Sequence, residues 1–394
     1  MGLNRLLLAC LIFGFLSFSV QAQENKIDLG ANSTEPIEPE EPTELATEVD
    51  WQNIFKVPND PNEQLRDFDN ADILSEAALA YQAWQSGDYV KARVLAALSG
   101  ADGDAQGQFL FAILLDNGLG GDKQPINAVK WYREAASNDV DDAWLALAGM
   151  AFESRGGLSS SDGREFLIKA GELNVPEAML ALGRSFTSGF GGQPNEAKAE
   201  QWFRRAIASG VNEARVALAD LLLSQNKDDE ALALYKTAVF GGSVEAAWKA
   251  GVLQADPDSL VFAPENAGRQ LQTAATAGNL LAMTAYGVFL ASGTPPLPAS
   301  AARWFRKAAE GGEAEGQYLY ALALAKGEGV SMDRELAYEW ALRSAASADS
   351  KPEYSQLTEA LRLALTPASR DLIHARAKMP LMIAVQLKPA GNTE

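Results

Sequence analysis

The sequence of 394 residues predicts an all-α fold in which similar helix pairs stack side by side. The main observation is a spacing motif: a small residue, an apolar residue four positions later that is usually larger, and a second small residue at the fifth position. It occurs seven times, and its copies start at Gly107, Ala143, Ala178, Ala214, Ala246, Ala282 and Gly316. Successive starts are 36, 35, 36, 32, 36 and 34 residues apart, a period typical of repeat architectures.

A recurring phrase is the second observation, and it predicts the other helix of each repeat. The chain reads "WYREAASND" at 131–139, "WFRRAIASG" at 202–210 and "WFRKAAEGG" at 304–312. Small residues stand three positions before and four positions after the first aromatic residue, so all three share one helical face. We interpret the recurring tryptophans as packing residues, namely Trp131, Trp202, Trp304 and Trp340. Since one helix pair cannot bury both of its faces, the pairs are expected to stack as a solenoid.

The first 22 residues are predicted to be a cleavable signal peptide. Arg5 gives a basic start, residues 6–20 form an apolar run, and small residues precede a cut after Ala22. The run is shorter than the roughly 20 residues of a membrane span, so no stable span is expected after cleavage. A lipoprotein site at Cys10 would leave the apolar stretch attached. Because Cys10 is the sole cysteine, the mature chain has no disulfide, and we predict a periplasmic or secreted bacterial envelope protein.

The rest of the chain divides by composition. Residues 23–66 are rich in Glu and Pro and are predicted to be a disordered linker, because they bury too little apolar surface to offset ordering. A capping helix pair is expected at 67–101 and the seven repeats at 102–349. Capping helices follow at 350–388 and a flexible tail at 389–394. With 33 basic and 52 acidic residues, the net charge of −19 disfavours nucleic acid as a partner.

The third repeat carries a family resemblance. The stretch "AMLALGRSFTSGFGGQPNEAKAEQWFRRAIASG" at 178–210 resembles a Sel1-like repeat, a relative of the tetratricopeptide repeat (TPR), and the resemblance extends over about 102–348. It implies a right-handed α/α superhelical solenoid, with 67–101 as a TPR-like N-terminal cap. Two repeats depart from the pattern. The fourth has "SQNKDD" in place of a Gly-rich loop, and the fifth contains the insert "ADPDSLVFAPEN".

Catalytic, cofactor and metal sites are not predicted. His374 is the only histidine, and neither a Ser-His-Asp arrangement nor a zinc ligand set is recognisable around it. Carboxylates recur one position before the start of the motif, at Asp142, Glu177, Glu213, Glu245 and Glu315. Acidic residues in the first turn of a helix complement its dipole, and a catalytic pair would not recur in every repeat. The sequence therefore favours a protein that is not an enzyme.

Candidate partner-binding residues come from the resemblance. In TPR units, the second and sixth positions after the motif start tend to face the concave groove. Aromatic residues occupy the second position at Phe109, Trp248 and Tyr318, and charged residues occupy the sixth at Arg184 and Asp220. Aromatic and arginine side chains are frequent anchors of interfaces. The resemblance implies an adaptor or regulator that binds a protein or peptide in this groove, in envelope assembly or signalling.

Two other functions remain open from the sequence. Some disulfide-rich relatives of this repeat are credited with binding peptidoglycan fragments such as muropeptides, although this chain lacks their cysteine pairs. A carboxylate-dependent glycan hydrolase is the third hypothesis, because glycosidases use two positioned acids. A groove with aromatic platforms and amides would favour a glycan ligand, whereas two isolated inward carboxylates would favour the hydrolase.

Overall fold

The structure is a computed structural model that describes residues 75–380, and this range contains 18 α-helices and no β-strand. The predicted all-α fold class is thereby confirmed. The predicted signal peptide (1–22), the linker (23–66) and the tail (389–394) lie outside the described residues. So do residues 67–74 and 381–388 of the predicted caps.

The described chain divides into two compact units, 75–225 and 226–380. The division falls in the short loop of the fourth repeat, one of the two irregular repeats. The helices of the first unit are α1 (Glu76–Gln85), α2 (Tyr89–Ala101), α3 (Ala105–Asn117), α4 (Pro125–Ser137), α5 (Asp142–Phe152), α6 (Ser160–Glu172), α7 (Pro176–Ser188), α8 (Glu196–Ala208) and α9 (Glu213–Ser224). Those of the second are α10 (Asp228–Phe240), α11 (Val244–Ala255), α12 (Pro264–Thr276), α13 (Leu280–Ser292), α14 (Pro298–Glu310), α15 (Ala314–Lys326), α16 (Arg334–Ala345), α17 (Pro352–Leu363) and α18 (Pro367–Ala377).

Within each unit, the two helices of a repeat form an antiparallel pair. In the third repeat, the backbone N–H of Asn195 at the start of α8 donates to the carbonyl of Phe186 at the end of α7, at 2.7 Å. The first helices of neighbouring repeats also contact each other within each unit, as α1 does α3 and α13 does α15. This stacking of pairs is the predicted α-solenoid architecture.

The two aromatic residues of the recurring phrase are buried to different depths. The second residue of the pair is the deeply buried one: Tyr132 and Phe203 are each 1% exposed. Trp131 and Trp202 are only partly buried. The tryptophans do pack, as in the edge-on contact of Trp131 with Phe111, whose ring centroids are 5.3 Å apart, and Trp340 is buried at 7% exposed.

The deep aromatic residue explains why the motif ends in a small residue. In the third repeat the ring of Phe203 lies on Gly183, and in the sixth the ring of Phe305 lies on Gly287. A Cβ added to Gly287 would stand 2.5 Å from that ring, which is far inside van der Waals contact. The glycine therefore lets the two helices of a pair approach with a ring between them.

Gly-x-Gly loops join the two helices in three repeats, and each glycine has its own reason to be there. The first adopts a left-handed conformation and ends the helix, with φ of +71° at Gly118, +79° at Gly189 and +73° at Gly327. The second, also left-handed, lies against the previous repeat: a Cβ on Gly191 would stand 2.6 Å from the Ser160 carbonyl oxygen, at the start of α6.

A buried arginine fastens the same loop in the third repeat. Arg164 on α6 is 8% exposed and donates to the backbone carbonyls of Ser185 at 2.8 Å, Phe190 at 2.7 Å and Gln193 at 2.7 Å. The Ser185 carbonyl also accepts the backbone N–H of Gly189 at the end of α7, whereas the carbonyls of Phe190 and Gln193 lie in the loop beyond the helix. Arg164 thus joins the second repeat to the third without a carboxylate partner.

We expect alanine at Gly191 to cost considerably more stability than alanine at Gly210, which is the matched control. Both glycines have positive φ, +78° and +92°, so each substitution carries a backbone penalty of about 1–2 kcal/mol. A Cβ at Gly210 meets nothing within 4 Å, whereas one at Gly191 strikes the Ser160 carbonyl. Overpacking adds about 1–3 kcal/mol. Urea unfolding followed by circular dichroism measures both losses, and equal losses would show that the inter-repeat contact does not matter.

Candidate functional site

An apolar cleft in the second unit is the candidate site. It lies on the first helices of the fifth, sixth and seventh repeats, α11, α13 and α15, together with α17, and has a volume of about 230 Å³. Its lining residues are Val252, Leu281, Thr284, Ala285, Val288, Glu313, Ala314, Glu315, Asp349, Lys351 and Tyr354.

The floor of the cleft follows from the repeat register. Val252 and Val288 occupy the sixth position of successive motifs, so neighbouring first helices bring both valines to the same face. Ala285 lies one turn before Val288 on α13, and the small side chain leaves the space open. Leu281, one turn earlier again, is 41% exposed at the edge of the cleft. The repeat spacing thereby produces a row of aliphatic side chains that water or a ligand can reach.

A fixed carboxylate, Glu313, lies beside this floor. It is the N-cap of α15, and its side chain accepts hydrogen bonds from the backbone N–H groups of Glu315 at 3.0 Å and Gly316 at 2.5 Å. The Thr284 hydroxyl on α13 also donates to Glu313, at 2.6 Å. Helix N-termini favour negative charge, and these three hydrogen bonds hold the carboxylate in one orientation.

A second carboxylate, Glu315, connects α15 to the C-terminal helices. It accepts hydrogen bonds from the Lys351 ammonium at 2.6 Å and from the Tyr354 hydroxyl. Burial raises the pKa of Tyr354 far above its usual value, and the bond to Glu315 raises it further, so the phenol stays a protonated donor. These contacts between residues 36 and 39 positions apart form the wall of the cleft on the α17 side.

The edge of the cleft is negatively charged. Three carboxylates, Glu313, Glu315 and Asp349, line it with a single cation, Lys351, whose charge is already shared with Glu315. Glu353 adds a further negative charge near Tyr354, since it contributes to the raised pKa of that phenol. The arrangement can bind an aliphatic group next to a positive charge. Among residues 75–380 no group of three or more His, Cys, Asp or Glu is placed to hold a metal ion.

The five residues predicted from the sequence to bind a partner do not line this cleft. Phe109 and Tyr318 are buried in aromatic pairs, with Tyr132 at 5.7 Å and Tyr354 at 4.9 Å between ring centroids. Tyr318 thus supports the cleft from behind Tyr354. Phe109 packs in the first unit instead.

The other three predicted residues are partly buried. Arg184 and Asp220 lie with Phe109 in the unit 75–225, whereas Trp248 and Tyr318 lie in the unit 226–380. Trp248 packs against a cluster of buried alanines that includes Ala274 and Ala282, and its indole Nε1 is buried without a hydrogen-bond partner among the described residues. The second and sixth positions do supply other residues to the cleft, namely Thr284, Val252 and Val288.

The recurring carboxylates and His374 lie at helix ends. The recurring carboxylates lie in the first turn of their helices as predicted, namely Asp142, Glu177, Glu213, Glu245 and Glu315. His374 lies in the last turn of α18, and its Nδ1 is 3.4 Å from the Tyr338 hydroxyl.

The residues that sequence reasoning missed lie at the inter-repeat turn and in the C-terminal cap: Glu313, Lys351 and Tyr354. One signal was available in the sequence. Most N-caps of the first helices are short side chains, such as Asp104, Ser243 and Asn279, whereas the seventh repeat has Glu313. Glutamate is not among the preferred N-cap residues, so its presence indicates a further partner.

No helix within residues 75–380 has the length and apolar character needed to cross a membrane.

A family model described as Sel1 repeat matches the chain at residues 105–140, 176–211, 280–313 and 314–349. These are the first, third, sixth and seventh predicted repeats. The second, fourth and fifth fall outside the matched ranges. The two irregular repeats recognised from the sequence are among them.

Two solved structures and one curated protein are similar to this chain. The crystal structure of a Sel1 repeat protein from Oxalobacter formigenes has a TM-score of 0.62 and 22% identity, covering 87% of this chain and 98% of that chain. The structure of c5321, a protective antigen of uropathogenic Escherichia coli, has a TM-score of 0.49 and 18% identity, with coverages of 81% and 88%. Chitin synthase regulatory factor 3 of Schizosaccharomyces pombe is 28% identical over 107 residues, or 26% of this chain. The match spans only 12% of that relative.

The repeat matches and the likeness of fold to the O. formigenes protein agree with the helix pairs, the glycine loops and the motif that occurs seven times. Such repeats generally serve as protein-interaction scaffolds. The chain carries four repeats that match the Sel1 repeat model, within a stack of similar helix pairs.

Proposed function

We propose that this protein is an exported interaction scaffold, without enzymatic activity, that binds an extended segment of a partner protein in the cleft of its second unit. The observation that carries the proposal is the cleft itself, an accessible aliphatic floor with a fixed polar edge. Apolar clefts with few, well-placed polar groups are typical binding sites. Of the cleft carboxylates, Glu313 is an N-cap and Glu315 is an ion-pair partner of Lys351, which supports a binding role over catalysis.

The location and process are part of the same proposal. The apolar run before Ala22 supports export to the periplasm or beyond, and a regulatory role in envelope assembly or signalling fits a scaffold in that compartment. The S. pombe relative is named a regulatory factor, which is in keeping with such a role. Peptidoglycan fragments are the alternative ligand, and the first experiment below distinguishes them.

We expect a photo-crosslinking side chain at Leu281 to capture a partner in living cells. Leu281 is 41% exposed at the edge of the cleft, so p-benzoylphenylalanine placed there lies within reach of a bound segment. Arg306 on α14, which does not line the cleft, is the matched control, with a side chain 57% exposed. After irradiation, gel electrophoresis and mass spectrometry should show a discrete protein adduct from position 281 and not from 306.

Three other outcomes would count against the protein partner in the cleft. Equal adducts from both positions would indicate non-specific capture. An adduct only from position 306 would move the interface to the second helices. An adduct at position 281 whose mass falls on muramidase digestion would show that the captured ligand is peptidoglycan and not a protein.

Export has its own test. We expect the protein made in cells to begin at Gln23, because small residues precede the cut after Ala22. Intact-mass spectrometry of the protein from the periplasmic fraction measures this directly. A charged residue at Ala22, as in Ala22→Lys, should leave the unprocessed chain at the membrane. A full-length wild-type chain in the cytosolic fraction would rule out export.

A further inference from the structure

We infer that the cleft of the second unit recognises one basic side chain, lysine or arginine, of the partner segment. This inference rests on the proposed function and adds the chemistry of its ligand. The volume of about 230 Å³ is below the range of about 300–1,000 Å³ typical of sites for whole small molecules. It suits a single long side chain inserted from an extended segment.

The floor suits the stem of such a side chain. Val252, Ala285, Val288 and Ala314 contribute only aliphatic groups to the lining. Lysine and arginine bury their methylene stems along apolar surface while the charged group reaches a polar edge. An apolar floor alone would equally accept leucine or methionine, so the edge decides between these ligands.

The edge favours a cation. Glu313, Glu315 and Asp349 outnumber Lys351, and that lysine is already paired with Glu315 at 2.6 Å. An acidic side chain would therefore meet three like charges, and an apolar one would remove carboxylates from water without replacing their hydration. A lysine or arginine would bring a counter-charge to the same place.

Glu313 is prepared for this role before any ligand arrives. It accepts three hydrogen bonds, from two backbone N–H groups and the Thr284 hydroxyl. An ionised carboxylate offers about four lone-pair positions, so one acceptor position is left for a ligand. Since α13 and α15 already hold the group in place, binding requires little ordering of this side chain.

The test uses the full mature chain with methyl-labelled Val and Ala and three small probes. These are the N-acetyl methylamides of lysine, norleucine and glutamate. Norleucine reproduces the lysine stem without its charge. Titration should shift the methyl resonances of Val252, Val288 and Ala285. We expect lysine to bind about two- to fivefold more tightly than norleucine, as for an accessible ion pair, and the difference should disappear in high salt.

Two sets of variants distinguish the effect of the cleft carboxylates on binding from any effect of the substitutions on folding. In Glu313→Gln/Asp349→Asn the ratio of lysine affinity to norleucine affinity should fall to about one, while norleucine binds as before. Glu328→Gln/Asp371→Asn removes the same charge from exposed positions outside the cleft lining and should keep the preference. If Glu313→Gln perturbs the α15 cap, Asp349→Lys at the exposed edge tests the charge alone and should likewise weaken lysine binding.

Each result decides the inference separately from the proposed function. Equal binding of lysine and norleucine to the wild type, or tightest binding of glutamate, would overturn it. So would the absence of any shift in the cleft methyl groups. In all three cases, an adduct captured from position 281 would still support a protein partner. A lysine preference without that adduct would leave the cleft as a site for basic ligands other than a protein.

Discussion

Close approach of two helices at one small residue is the constraint on which the structure depends. In the sixth repeat the ring of Phe305 lies on Gly287, where a Cβ would stand only 2.5 Å away. The ring fills the space between α13 and α14, so the pair is held at a fixed separation. Val288, the next residue on α13, is thereby directed to the cleft. The same contact that packs the repeat also places a residue of the candidate site.

Stacking depends on a second backbone contact of the same kind. The later glycine of each Gly-x-Gly loop lies against the start of the second helix of the preceding pair, as Gly191 does against Ser160. Arg164 then satisfies the carbonyls of that loop. A glycine and a buried arginine therefore fix the spacing between repeats without disulfides. In the second unit, Glu313 and Glu315 have a comparable role, since they connect α15 to α13 and α17.

Much of the fold could be predicted from the sequence because its causes are local. Helical periodicity and first-turn carboxylates depend on a few neighbouring residues, and both were recognised. The depth of Tyr132 against Trp131 could not be predicted, because both residues fit a large apolar position. The cleft was missed for a different reason: its wall joins Glu315 to Lys351 and Tyr354 across more than a repeat, outside the motif. Positions two and six supply Thr284, Val252 and Val288 to the cleft, but the sequence did not indicate which residues there remain accessible.

A double-mutant cycle on Gly287 and Phe305 tests this account most directly. Gly287→Ala should destabilise the protein because its methyl group strikes the Phe305 ring, and Phe305→Leu should cost stability through lost burial. Combined, they should cost at least about 1 kcal/mol less than their sum, because leucine relieves the clash that alanine creates. Free energies of unfolding from urea titration provide the measurement. Additivity within about 0.5 kcal/mol would contradict the claim that this contact fixes the helix pair.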